Sequence, residues 1–249
     1  MLALVLIGFS TITETWGMVM VILGIIGFIG FVLWELRVEN PVLEVKLFFK
    51  NRRFAFSNLA TLISYISTFA VSFLLSLYLQ YIKGFDPRIA GLILVVQTVI
   101  MVFMSPVAGK LSDRFDPGKL ASLGMAIITI GLLILSFISD ATSLYVIILA
   151  LAIIGLGIGI FSAPNTNAIM GSVERKYFGV SSAILSTMRL LGQTFGMGLI
   201  LVIFVVYIGA VQFTPQNYPD LLTSIKVTFI ISVILSVIAV FASLARNRK

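Results

Sequence analysis

The sequence predicts an all-α fold, a polytopic bundle of membrane-spanning helices, and three observations carry that prediction. Of the 249 residues, 59% are hydrophobic and 11% charged, against roughly 45–50% and about 25% in a soluble domain. The mean hydropathy is +1.13, and a soluble chain of this size needs a polar shell that such a composition does not supply. The apolar residues also fall into runs of about 20, the length of helix that crosses a hydrocarbon core about 30 Å thick. Finally, the basic residues sit in short gaps between those runs. The net charge of +7 therefore reads as a topology signal and not as a nucleic-acid-binding stripe.

The elements follow in order. Residues 2–12 are apolar but only about half the spanning length. They lack the basic start and small-residue cleavage site of a signal peptide, and read as the back half of a spanning helix whose front is missing. Residues 17–36 form a first full span, followed by a charged stretch over residues 37–53 that contains Pro41. Six further spans are expected at residues 54–81, 89–108, 120–138, 144–163, 180–210 and 222–245. This divides the chain into residues 1–53, a partial helix, one span and a basic linker, and residues 54–249, a six-helix bundle.

Placing the C-terminus in the cytoplasm and alternating backwards puts 13 of the 17 basic residues inside, the asymmetry expected of cytoplasmic loops. Lys83 and Arg88 fall in an outer loop, Lys226 at an outer helix end and Arg189 within a span. Short outer loops are expected at residues 83–88, 139–143 and 212–221, the last holding the helix breakers Pro215 and Pro219. The expected location is the cell membrane, multi-pass.

The residue inventory narrows the chemistry. With no Cys and no His, disulfides, thiolate nucleophiles, imidazole bases and zinc sites of Cys or His type are excluded, and no metal or other cofactor is expected. All ten acidic residues fall in loops or at helix ends. Membrane-embedded catalysis and an autonomous proton relay both require buried acids or His, so the chain is not expected to be an enzyme.

Glycines occupy the spans with a pattern. Gly155, Gly157 and Gly159 form a G-x-G-x-G run, and Gly192 with Gly196 a G-x-x-x-G pair. Both let helix backbones approach closely, either as plain packing or as rocking contacts in a protein that changes shape. Gln97, Asn165, Asn167, Arg189 and Gln193 are the polar residues in spans that suit a substrate path, and the same side chains suit helix joining. Arg189 falls either at depth or near the inner surface, where it would snorkel. Tyr65, Phe161, Met188, Phe195 and Met197 offer an adaptable apolar surface, or ordinary packing.

The most ordered signal is residues 109–119, expected as a cytoplasmic loop. Asp113 is expected to accept from the free N–H groups of the following helix, Arg114 and Lys119 to pair with carboxylates or lipid phosphates, and Pro117-Gly118 to supply the turn. Gly109, Leu111, Asp113, Arg114, Gly118 and Lys119 resemble the G-x-L-x-D-R-x-G-[RK] signature of the major facilitator superfamily in its C-terminal copy, with three residues in place of one between Arg114 and Gly118. Asn40 to Phe48, Asn51 to Phe54, Ala163 to Asn167, Gly179 and Arg189 to Gln193 are similar to the fourteen-span drug:proton antiporter branch.

The resemblance implies a six-helix major-facilitator half, preceded by one of the two extra helices of that branch and part of the other. It implies a conformational-switch role for the motif and proton-coupled efflux of small amphiphilic compounds. The implied partners are the lipid bilayer, a small-molecule substrate, and a missing N-terminal half or a second copy. In the family the coupling acid lies in the N-terminal half, so the residue cannot be carried over to this chain. The alternative is a structural or regulatory half-protein that assembles with a partner and transports nothing.

Overall fold

The computed structural model describes residues 8, 15–35, 37, 48–49, 51–209 and 215–245. Helix α1 covers Thr15–Glu35, where the first full span is expected. The shorter apolar segment before it and most of the linker after it lie outside the described residues. The bundle then runs α2 (Arg52–Leu77), α3 (Pro87–Ser112), α4 (Pro117–Ser136), α5 (Leu144–Met170), α6 (Phe178–Tyr207) and α7 (Tyr218–Ala245). Among the described residues six helices are long and apolar enough to cross a membrane and no strand occurs. The protein is an all-helical, multi-pass membrane bundle.

Helix starts follow from capping chemistry. Asp86 and Asp116 each precede a proline, and their carboxylates accept from the amides of Arg88 at 2.8 Å and Lys119 at 2.9 Å. Proline at the first helical position loses no hydrogen bond, since that N–H has no helical acceptor. At the opposite end of α2 the helix loosens into a π-turn, Tyr78–Ile82, and the chain reverses at Gly84 with φ at 69°.

Three helices run further than the sequence predicts. Helix α7 starts at Tyr218, so that Pro219, expected as a breaker in a loop over residues 212–221, lies in its first turn, where proline is tolerated. The expected α5 span ends at residue 163, directly before Pro164, yet α5 continues through that proline to Met170. The expected α3 span already passes Pro106, and α3 runs on to Ser112. In a bundle the backbone groups freed by proline are satisfied by neighbouring helices and nearby Ser or Thr side chains. The expected loop over residues 109–119 therefore shrinks. Gly109, Lys110 and Leu111 belong to the last turn of α3, while Pro117, Gly118 and Lys119 open α4.

The packing is interleaved. Helix α2 lies against α6 and α7, α5 lies against α3 and α4, and α4 packs on α7. Exchanging the triplet α2–α4 with α5–α7 maps this set of contacts onto itself. Because each triplet has three spans, the two enter the membrane from opposite sides, the inverted-repeat arrangement of many transporters. The core contains Tyr78, Met125, Ile128, Leu132, Ile154 and Phe229, all fully buried.

One feature of α7 went unread in the sequence. Ser224, Thr228, Ser232 and Ser236 recur every four residues and are all fully buried. Ser236 shares a hydrogen bond with Thr129 of α4 at 2.6 Å, and Ser243 with Ser122 of α4 at 2.7 Å. Small side chains at this spacing let two helices close on each other, with hydroxyls joining them.

Candidate functional site

Polar residues of α2, α5 and α6 gather toward the end of the bundle that holds the α2 N-terminus. On α2 the residues Ser57, Asn58, Thr61, Ser64 and Ser67 are all buried. Asn165 of α5 is 2% exposed and donates to the Thr61 hydroxyl at 2.8 Å and the Ser57 carbonyl at 3.2 Å. It ties α5 to α2. Asn167, two residues on, donates to the Ser112 hydroxyl of α3 at 2.6 Å.

Arg189 of α6 lies half-buried among α2 and α5. Its Nη2 donates to the Thr166 hydroxyl at 3.3 Å, and its guanidinium stands 5.9 Å from the centroid of the Tyr65 ring. Its Nε–H is buried with no hydrogen-bond partner, and the arginine makes no ion pair among the described residues. Thr166 is four residues from the end of α5, about 6 Å along the axis. The side chain of a helical residue leans toward the helix N-terminus, so the charge sits toward the end of the bundle that holds the α5–α6 connection although Arg189 is the twelfth residue of α6.

The other path candidates separate. Gln193 is exposed on α6. Gln97 of α3 is half-buried, its Oε1 without a partner among the described residues. It packs at Gly155, and the eleven residues from Gly155 to Thr166 span about 16 Å of helix. Arg189, Tyr65 and Thr166 form one cluster. Asn165 lies beside Thr166 in sequence and bonds to Thr61, one turn before Tyr65 on α2, and Gln97 is in neither group.

The glycines sit where helices touch. A Cβ on Gly159 would lie 2.8 Å from the Met104 Cβ of α3, and one on Gly157 would lie 2.7 Å from the Ile128 amide nitrogen of α4. Gly155, one turn before Gly159, meets the Gln97 carbonyl in the same way. Gly192 and Gly196 face α2, with Cβ positions 2.5 Å from the Tyr65 Cβ and 2.9 Å from the Ile66 carbonyl oxygen.

At the motif the structure corrects the sequence reading. Asp116, not Asp113, accepts from the first turn of α4, because it is the residue directly before the proline. The basic partner of Asp116 is Arg53 of α2 at 3.8 Å, not Arg114. Asp113 and Arg114 are exposed and make no ion pair among the described residues. With Val107, Lys110 and Leu111 they line an open cleft of about 470 Å³. Lys119 is exposed, and Gly118 is buried within the first turn of α4 instead of forming a turn before it.

Two networks were not anticipated. At one end Asn51 caps α2, accepting from the Phe54 amide at 3.0 Å, and its Nδ2 donates to the Ser172 carbonyl in the α5–α6 connection. At the other end the Tyr78 hydroxyl donates to the Ser139 carbonyl at 2.6 Å, and Lys83 Nζ to the Asp140 carbonyl at 2.5 Å. Helix α2 is pinned at both ends to the loops of the bundle. The Ser and Thr spacing on α2 was the available signal for the polar face, while the loop carbonyls left none.

A family model described as Major Facilitator Superfamily matches residues 1–197 and, in a second alignment, residues 57–249. The chain belongs to the major facilitator superfamily. Among curated relatives it is 34% identical to the riboflavin transporter RibZ of Clostridioides difficile over 70% of this chain and 38% of that protein. It is 27% identical to the lincomycin resistance protein LmrB of Listeria monocytogenes over 96% of this chain and 53% of that protein. The multidrug transporter protein MdtP of Bacillus subtilis is 30% identical over 70% of this chain and 32% of its own length. The chain thus spans about half or less of these relatives. A crystal structure of a bacterial homologue of the human lysosomal transporter Spinster, inward-facing and occupied, superposes with a TM-score of 0.65 at 18% identity, covering 94% of this chain and 58% of that one. That likeness establishes the major-facilitator fold.

Proposed function

We propose that this chain is one half of a secondary transporter that exports small amphiphilic compounds in exchange for protons, working with a partner half or a second copy of itself. The carrying observation is the interleaved six-helix bundle of inverted triplets in a major-facilitator chain whose relatives include a riboflavin transporter and multidrug proteins. Alternating access needs two such bundles rocking about a site between them. Arg189 with Tyr65, Thr166 and Asn165 supplies this half's polar contribution to the substrate path, and the exposed Asp113 and Arg114 are placed to switch contacts with the partner bundle. The C-terminus faces the cytoplasm of the cell membrane.

The six bundle helices carry acidic residues only near their ends, which favours a coupling acid supplied by the partner. The same observation supports a second reading, a half that assembles with a partner and transports nothing. The two readings separate in an efflux-deficient host loaded with ethidium. Expression is expected to speed ethidium loss, and Asp113→Asn or Arg189→Ala to slow it at unchanged membrane abundance. No difference between expressing and empty cells, with a partner half supplied, would leave the structural reading in its place.

A further inference from the structure

The first turn of α2 is basic, where the helix dipole favours anions. Arg52 and Arg53 open the helix. Arg53 turns to Asp116. Arg52 is exposed, makes no ion pair among the described residues, and lies with its guanidinium 5.4 Å from the centroid of the Phe56 ring.

Phe56 is also a wall of a cleft of about 290 Å³ completed by Phe48, Ala55, Leu59, Leu62 and Met188. Every lining residue is apolar. From Ala55 to Leu62 the cleft follows α2 for about 10 Å, so an apolar trough runs along the helix axis away from a cation at the helix end. It opens outward and not into the bundle, since Leu59 on its wall is 41% exposed.

We propose that this cleft binds one anionic phospholipid, with the phosphate-bearing headgroup on Arg52 and an acyl chain along Ala55, Leu59 and Leu62. A cation at the end of a spanning helix lies at headgroup depth, and a trough parallel to the helix has the direction of a lipid chain. An anion there also offsets the repulsion between Arg52 and the positive end of α2. A water-soluble amphiphile would be drawn equally by charge, but a laterally open cleft faces bilayer lipid first. The site stands whether or not the chain transports.

The test is native mass spectrometry of the full chain in dodecyl maltoside with equal phosphatidylglycerol and phosphatidylcholine. A single phosphatidylglycerol adduct is expected to be retained about fivefold over phosphatidylcholine, from one cation acting on an anionic headgroup. Arg52→Gln, an exposed position, should lose the preference, and Ala55→Leu, which fills the cleft, should reduce adducts of both lipids. Equal retention of the two lipids by the unmodified chain, or an unchanged preference in Arg52→Gln, overturns the proposal. So does millimolar inorganic phosphate raising the unfolding temperature as much as phosphatidylglycerol, because a bare anion site needs no trough.

Discussion

Gly192→Ala adds a single methyl group at the tightest contact between α6 and α2. A Cβ there lies 2.5 Å from the Tyr65 Cβ and 2.7 Å from the Leu62 carbonyl oxygen, where apolar atoms prefer about 3.5–4.0 Å. The neighbours are main chain or the first side-chain atom, so relief requires the helices to part by about 1 Å. Overpacking of this kind costs about 1–3 kcal/mol. Gly→Ala within a helix otherwise gains up to about 1 kcal/mol, and Gly91 of α3 has nothing within 4 Å of its Cβ position. The two substitutions should therefore move the melting temperature in detergent in opposite directions, Gly91→Ala upward and Gly192→Ala downward. Equal shifts would refute the claim that these helices are in backbone contact.

Other outcomes follow from the same geometry. Asn165→Leu removes two hydrogen bonds between α5 and α2 and is expected to cost about 1–3 kcal/mol, read as a lowered melting temperature. Asp116→Asn keeps the cap of α4 and loses only a long, half-exposed pair with Arg53, so the melt should shift by no more than a fraction of that, with little salt dependence. Ser232→Leu places a large side chain where Ser232 is fully buried and should destabilise more than Ser232→Ala in the same melt. Because the sequence has no cysteine, single cysteines at Asn217 and Asn247 can be labelled with an impermeant maleimide. Labelling of intact cells at position 217 and not at 247 is expected, and the reverse would invert the topology.

Composition alone exposed the spans, because a helix in lipid must be apolar over a fixed length whatever it packs against. Helix ends were less legible. Pro164 looks like a stop under rules that hold in water, yet here it lies within α5. Asp86 and Asp116 could have been read as caps from the following proline, and the motif resemblance drew attention to Asp113 instead. The α2 and α7 hydroxyl stripes were visible as spacing, but Ser and Thr hide among apolar neighbours more easily than Gly. The grouping of Arg189 with Tyr65 and Thr166 was out of reach, because it depends on how far α5 runs beyond its proline and on which face α6 turns to α2.

The interleaving of the triplets fixes the order in which the bundle can close during synthesis. Helices α2, α3 and α4 touch one another lightly, and their main contacts are with α5, α6 and α7. When α4 has left the ribosome, the hydroxyl and amide side chains of Ser57, Asn58, Thr61 and Ser64 still await the helices that will bury them. The nascent chain must hold that polar face of α2 in the membrane, screened by lipid, water or the insertion machinery, until the last three helices arrive.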